Sequence, residues 1–81
     1  MVEVTLWGSL ASLADGNERI SVEATDIREL FRKLSDRYPG LRDPISKDVA
    51  VAIDGVIYRD NWSKKLPENG EVFLMRRLEG G

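Results

Sequence analysis

The sequence has no cysteine and no histidine. Without cysteine there is no disulfide and no thiolate to act as nucleophile or metal ligand. Without histidine there is no imidazole base, and the usual zinc ligands are gone. The lack of cysteine is compatible with a reducing compartment, and a cytoplasmic location is the expectation. Long apolar runs are missing too. None approaches the ~20 residues that a membrane-spanning helix needs. The opening "MVEVTLWGS" alternates instead of showing the basic start and apolar stretch of a signal peptide. No membrane partner is expected. A dominant charge is also lacking: 12 Lys and Arg stand against 14 Asp and Glu, a net charge of −2. That balance offers no electrostatic footprint for nucleic acid.

What is present reads as one soluble globular domain. The 81 residues are 42% hydrophobic and 32% charged, a composition typical of a packed domain. "VEVTLWG" alternates, with Val2, Val4 and Leu6 on one face and Glu3, Thr5 and Trp7 on the other, as a strand does. "RISVEA" alternates again through Ile20, Val22 and Ala24. The link between them holds the turn cluster Asp15-Gly16-Asn17, so the two runs read as a hairpin with a loose loop of roughly ten residues.

The period then changes. In "TDIRELFRKLSDRYPG", Ile27, Leu30, Phe31, Leu34 and Tyr38 recur three and four apart, a helical stripe. Asp26 can cap this helix, with Glu29 three residues on as a capping box requires, and Thr25 competes for the same role. Pro39-Gly40 ends it. "LRDPISKD" reads as polar loop. In "VAVAIDGVIYRD", Asp54-Gly55 between β-prone runs is the signature of a two-residue hairpin turn. Val49, Val51 and Ile53 share one face there, and Ala50 and Ala52 the other. Trp62 and Leu66 pin the connector "NWSKKLPENG", whose Pro67 to Gly70 stretch makes a turn. "EVFLMRR" is a last strand, with Val72 and Leu74 on one face and Phe73 and Met75 on the other.

Strand, strand, helix, strand, strand, strand predicts an α+β fold: a mixed five-stranded sheet with one helix packed across one face. The expected core-facing set is Val4, Leu6, Ile20, Val22, Leu30, Leu34, Val51, Ile53, Val72 and Leu74. One helix cannot cover both faces. The predicted outer face nevertheless carries Trp7, Phe73 and Met75 beside Ala50 and Ala52, a candidate partner surface. The carboxylates Asp15, Asp26, Asp54 and Glu68 all fall at turns or caps, and no paired acid–base site stands out among them.

The element order, with "DRYPGL" at the helix end, "VAVAIDGVIY" in the middle hairpin, "LPENGEVFLM" before the last strand and a final Gly80-Gly81, resembles the ubiquitin-like β-grasp family. Within it the chain looks most like the sulfur carriers of the MoaD and ThiS type, the former being the small subunit of molybdopterin synthase. The approach to the end, Arg76-Arg77-Leu78-Glu79, is closer to ubiquitin's basic, leucine-containing tail than to the small residues and proline common in carriers.

The resemblance implies a β-grasp domain over residues 1–77 and a flexible tail over 78–81. It implies that the Gly81 carboxylate, approached through Gly80, attacks the α-phosphate of ATP on a separate ubiquitin-activating-like adenylating enzyme. Sulfur then displaces AMP to leave a thiocarboxylate, which serves a sulfur-accepting biosynthetic enzyme such as a large synthase subunit. The chain would be carrier or non-catalytic subunit rather than enzyme, with no cofactor held permanently; the ATP is the partner's. Phe73, Met75, Arg76, Arg77 and Leu78 are the expected partner-binding residues. Arg76 and Arg77 read equally as a solvated strand end. Glycine at 80 and 81 suits a tail that threads a narrow channel, since it has no Cβ. Residues 78–81, extended, reach at most ~13–14 Å. Two other function classes remain: a ubiquitin-like modifier conjugated through Gly81, and a plain β-grasp interaction module.

Overall fold

The structure is a computed structural model and describes residues 1–47 and 49–76. The first alternating run forms β1 (Val2–Leu6), with Val2, Val4 and Leu6 buried and Glu3 and Thr5 half-buried on the other face. β2 (Arg19–Val22) buries Ile20 and Val22 and pairs antiparallel with β1. Two further strands, β3 (Val49–Ile53) and β4 (Val56–Tyr58), meet through Asp54-Gly55. Both turn residues have positive φ, 51° and 81°, the geometry of a type I′ turn whose twist matches that of the flanking strands. β5 (Glu71–Arg76) completes the sheet.

The strand order is β2-β1-β5-β3-β4. β5 lies in the middle, parallel to β1 and antiparallel to β3. All ten residues expected to face the core are buried. α2 (Ile27–Arg37) lays Ile27, Leu30, Phe31 and Leu34 on the sheet. Trp62 and Leu66 pack against the same core, and the Trp62 ring meets Phe31 edge-on at 4.8 Å between centroids.

Two segments expected as loops are helical. Between β1 and β2 lies α1 (Ser9–Leu13), with Leu10 and the following Ala14 fully buried. It starts after Gly8, whose φ of 62° and ψ of −134° fall close to a region that essentially only glycine occupies. After α2 a 3₁₀ turn, Pro39–Leu41, leads into α3 (Arg42–Lys47). Leu41, Pro44 and Ile45 are buried there, so "LRDPISKD" is an apolar helical edge rather than polar loop. In each case three small or apolar residues at helical spacing close one end of the sheet, and tertiary burial decides the conformation over local turn preference.

The start of α2 settles the cap. Asp26 takes it: its Oδ1 accepts from the Glu29 N–H at 2.8 Å. The reciprocal arm lands one residue earlier than a standard capping box. Glu29 Oε1 accepts from the Thr25 N–H at 2.7 Å and from the Thr25 hydroxyl at 3.1 Å. The backbone bond and then the hydroxyl bond hold the Glu29 carboxyl below the usual carboxylate range, with Lys33 and Arg32 adding attraction. A carboxyl lowered in the folded state contributes stability above its unfolded pKa and loses it as pH falls through the folded value. Glu29→Gln should therefore lower the thermal midpoint at neutral pH and leave it unchanged once acid has protonated the native carboxyl. A midpoint-against-pH profile of both proteins checks this.

Candidate functional site

Register sets what the open face of the sheet displays. One row across it runs Arg19, Thr5, Phe73, Ala52 and Ile57, each paired with the next. Toward the C-terminal end of β5, Met75 pairs with Ala50. Trp7 lies beside them, its N–H donating to the Leu74 carbonyl at 3.0 Å. Toward the other end, Glu3 pairs with Ser21 and Glu71. Arg19 bonds Glu3 and lies 3.4 Å from Glu71. The face thus has a polar end held by an arginine between two carboxylates, and an apolar end beside the exit of β5. Covering the polar end means desolvating charges, whereas covering the apolar end releases water from hydrocarbon.

At the apolar end is an open groove of about 580 Å³ lined by Trp7, Gly8, Ser9, Ala50, Ile57, Arg59, Met75 and Arg76. The Trp7 ring tilts at 60° to Phe73, with centroids 5.7 Å apart. Phe73 and Met75 lie on this face, as their alternation with Val72 and Leu74 requires, and both are half-buried. The most exposed large side chains here are instead Trp7 at 52% and Ile57 at 53%. Ile57 is the member that sequence reading missed. The signal existed: a two-residue turn at Asp54-Gly55 puts Ile57 opposite Ala52, already assigned to this face.

Arg76 sits differently from its neighbours. It pairs with the buried Val49, so by register it belongs to the core side of the sheet, where its Nη1 is 3.3 Å from Ser9 Oγ. Its length also brings it to the groove rim. Arg77, Leu78, Gly80 and Gly81 lie outside the described residues, as does the expected boundary between residues 77 and 78. Among the described residues no group of three or more acidic side chains could hold a metal ion. Asp15 and Asp54 occupy turn positions with positive φ, and Asp26 is a helix cap. The groove is therefore built for contact rather than for acid–base chemistry.

No family model matches the chain, and neither does any curated protein sequence. Solved structures do. Small archaeal modifier protein 1 from Methanosarcina acetivorans superposes with a TM-score of 0.80 at 21% identity, over 99% of this chain and 95% of its own. Mycobacterium tuberculosis CysO gives 0.82 at 11% identity, over 96% and 100%. A chain from the complex of subunits 1 and 2 of the Helicobacter pylori molybdopterin-converting factor gives 0.68 at 25% identity, over 99% and 97%. The chain has the ubiquitin-like β-grasp fold.

In this β-grasp sheet one strand serves two surfaces, and substitutions on β5 should separate them. Leu74→Ala opens a cavity in the core and should cost about 2–5 kcal/mol. Phe73→Ala removes a half-buried ring and its contact with Trp7, where an aromatic pair is worth about 0.5–1.5 kcal/mol beyond area burial, and should cost clearly less. Urea denaturation of the two variants checks the order; the reverse order would mean that the faces of β5 are exchanged.

Proposed function

We propose that the chain is a sulfur carrier that acts through the carboxylate of Gly81. The observation that supports it most is the continuity of β5. The strand that displays Phe73 and Met75 on the open face leads within a few residues to Gly80-Gly81. A partner that grips this face holds the tail in register with its own active site. The likeness to a molybdopterin-converting factor chain over nearly the whole length of both agrees with such a role.

The chemistry follows from the end group. A terminal carboxyl has pKa ~3.3–3.7, so it is ionised at neutral pH. As a carboxylate it resists attack, and activation needs a better leaving group. On the partner enzyme a carboxylate oxygen bonds to the α-phosphorus of ATP and pyrophosphate leaves. A sulfide-level sulfur then adds to the acyl-adenylate carbonyl and AMP leaves, giving the thiocarboxylate. The chain is substrate and carrier in these steps, not catalyst. The partners are an adenylating enzyme of the ubiquitin-activating type and an acceptor enzyme, and the setting is the cytoplasm. The Helicobacter neighbour is itself a complex of two subunits, which supports an acceptor of the large-subunit kind. Among the described residues no helix is long and apolar enough to cross a membrane.

A second reading draws on the Methanosarcina modifier protein: the same adenylate passed to a lysine amine on a target protein, giving an isopeptide bond. The two readings share docking and activation and diverge only at the last nucleophile.

Deleting Gly81 withdraws the carboxylate by about 3.5 Å, while a misplacement near 1 Å can already cost a hundredfold. The truncated chain should keep its thermal midpoint and fail to release pyrophosphate from ATP on the adenylating enzyme. Phe73→Ala should weaken binding to that enzyme by roughly thirtyfold, the loss of an apolar anchor worth about 2 kcal/mol. Titration calorimetry measures the second effect. Normal pyrophosphate release from the truncated chain would sink the role of Gly81.

A further inference from the structure

The sheet has two edges, β2 and β4, and the fold treats them oppositely. On β1–β2 the Leu6 N–H donates to the Glu18 carbonyl at 2.8 Å, which makes Glu3–Ser21 a non-bonded pair and turns the Ser21 carbonyl toward the open edge. Two cations of α2 reach over to cover this edge. Arg37 Nη1 donates to the Ser21 carbonyl at 3.3 Å, and Lys33 Nζ donates to the Glu23 carbonyl. Arg19 adds an exposed charge. These are the devices by which proteins keep an edge from pairing.

β4 has none of them. Its turn makes Ile53–Val56 the closing bonded pair, so Ala52–Ile57 is non-bonded and the Ile57 N–H and C=O point away from β3. Among the described residues nothing bonds these two outward groups. The strand carries no charge, and Val56 and Ile57, which alternate to opposite faces, are 51% and 53% exposed. Beside Ile57 the groove is bordered by the guanidinium groups of Arg59 and Arg76, with no carboxylate in its lining among the described residues.

We propose that the β4 edge is a docking site for an extended segment of a partner protein that adds a sixth strand to the sheet. The segment pairs with the N–H and C=O of Ile57 and packs apolar residues on Val56 and Ile57. An acidic residue on its groove side faces Arg59. Backbone pairing supplies affinity and the alternate side chains supply selectivity. The proposal goes beyond the carrier reading and requires no chemistry at Gly81.

The test uses the full ¹⁵N-labelled chain and two short capped peptides, one alternating valine with glutamate and one alternating valine with lysine. The valine–glutamate peptide should shift the amides of Val56 to Arg59 saturably and slow hydrogen exchange at the Ile57 N–H. The valine–lysine peptide should bind more weakly. Ile57→Pro removes the outward donor without touching a β3–β4 bond. It should weaken binding about tenfold while amide protection of Val51 and Leu74 persists. Ile57→Ala keeps the donor and should still show the slowed exchange at residue 57. Shifts centred on Trp7 and Phe73 with no protection at Ile57 would overturn the proposal, as would equal binding of both peptides. A chain whose β4 is already occupied by a second copy, seen as a dimer in sedimentation with Ile57 protected before any peptide is added, would overturn it as well.

Discussion

The place of β5 between β1 and β3 is the constraint on which the rest of the molecule depends. A strand paired on both sides has its backbone groups committed to the sheet, so it can use only its two faces. Val72 and Leu74, both fully buried, spend one face on the core under α2. Phe73 and Met75 are thereby fixed on the other, opposite the two alanines of β3. Small residues on β3 leave room beside the larger ones on β5, and the groove follows from that difference in size. The fold's most securely held strand is also the one that runs toward Gly80-Gly81, so the apolar groove and the tail share a single rigid support.

The outer face is graded rather than uniform. The arginine between two carboxylates at one end makes that end costly to dehydrate, while Trp7, Phe73, Met75 and Ile57 make the other end cheap to cover. The sheet edges repeat the pattern. The carbonyls of β2 are covered by cations from α2, and β4 is left bare beside the apolar end. A partner therefore meets its most favourable surface next to the exit of β5. One helix over one face is enough to stabilise a chain of this size, and the uncovered face remains for recognition.

Much of this was legible in the residues. The stripe from Ile27 to Tyr38 needs only helical spacing, and Asp54-Gly55 needs only the preference of a type I′ turn. Strict alternation in "EVFLMR" assigns Phe73 and Met75 to one face and, followed one step further, Arg76 to the other. The short helices were not legible. Ser9–Leu13 and Arg42–Lys47 are too brief to show a period, and both contain or adjoin glycine, proline or aspartate, which signal turns. Their form is set by burial of Leu10, Ala14, Leu41 and Ile45 at the end of the sheet, a tertiary effect. The contrast between the two edges was equally hidden, because it depends on strand order and on which carbonyls Lys33 and Arg37 reach.

The most direct measurement of the central claim is the intact mass of the chain after incubation with an adenylating enzyme, ATP and a sulfur donor. A sulfur carrier gains the mass difference between sulfur and oxygen, and a thiol-directed label then attaches at Gly81. The label is diagnostic because the chain contains no cysteine to compete for it. An unchanged mass and no labelling, with the enzyme shown active on another carrier, would contradict the claim. Recovery of the chain in covalent ladders on other proteins would move it to the modifiers.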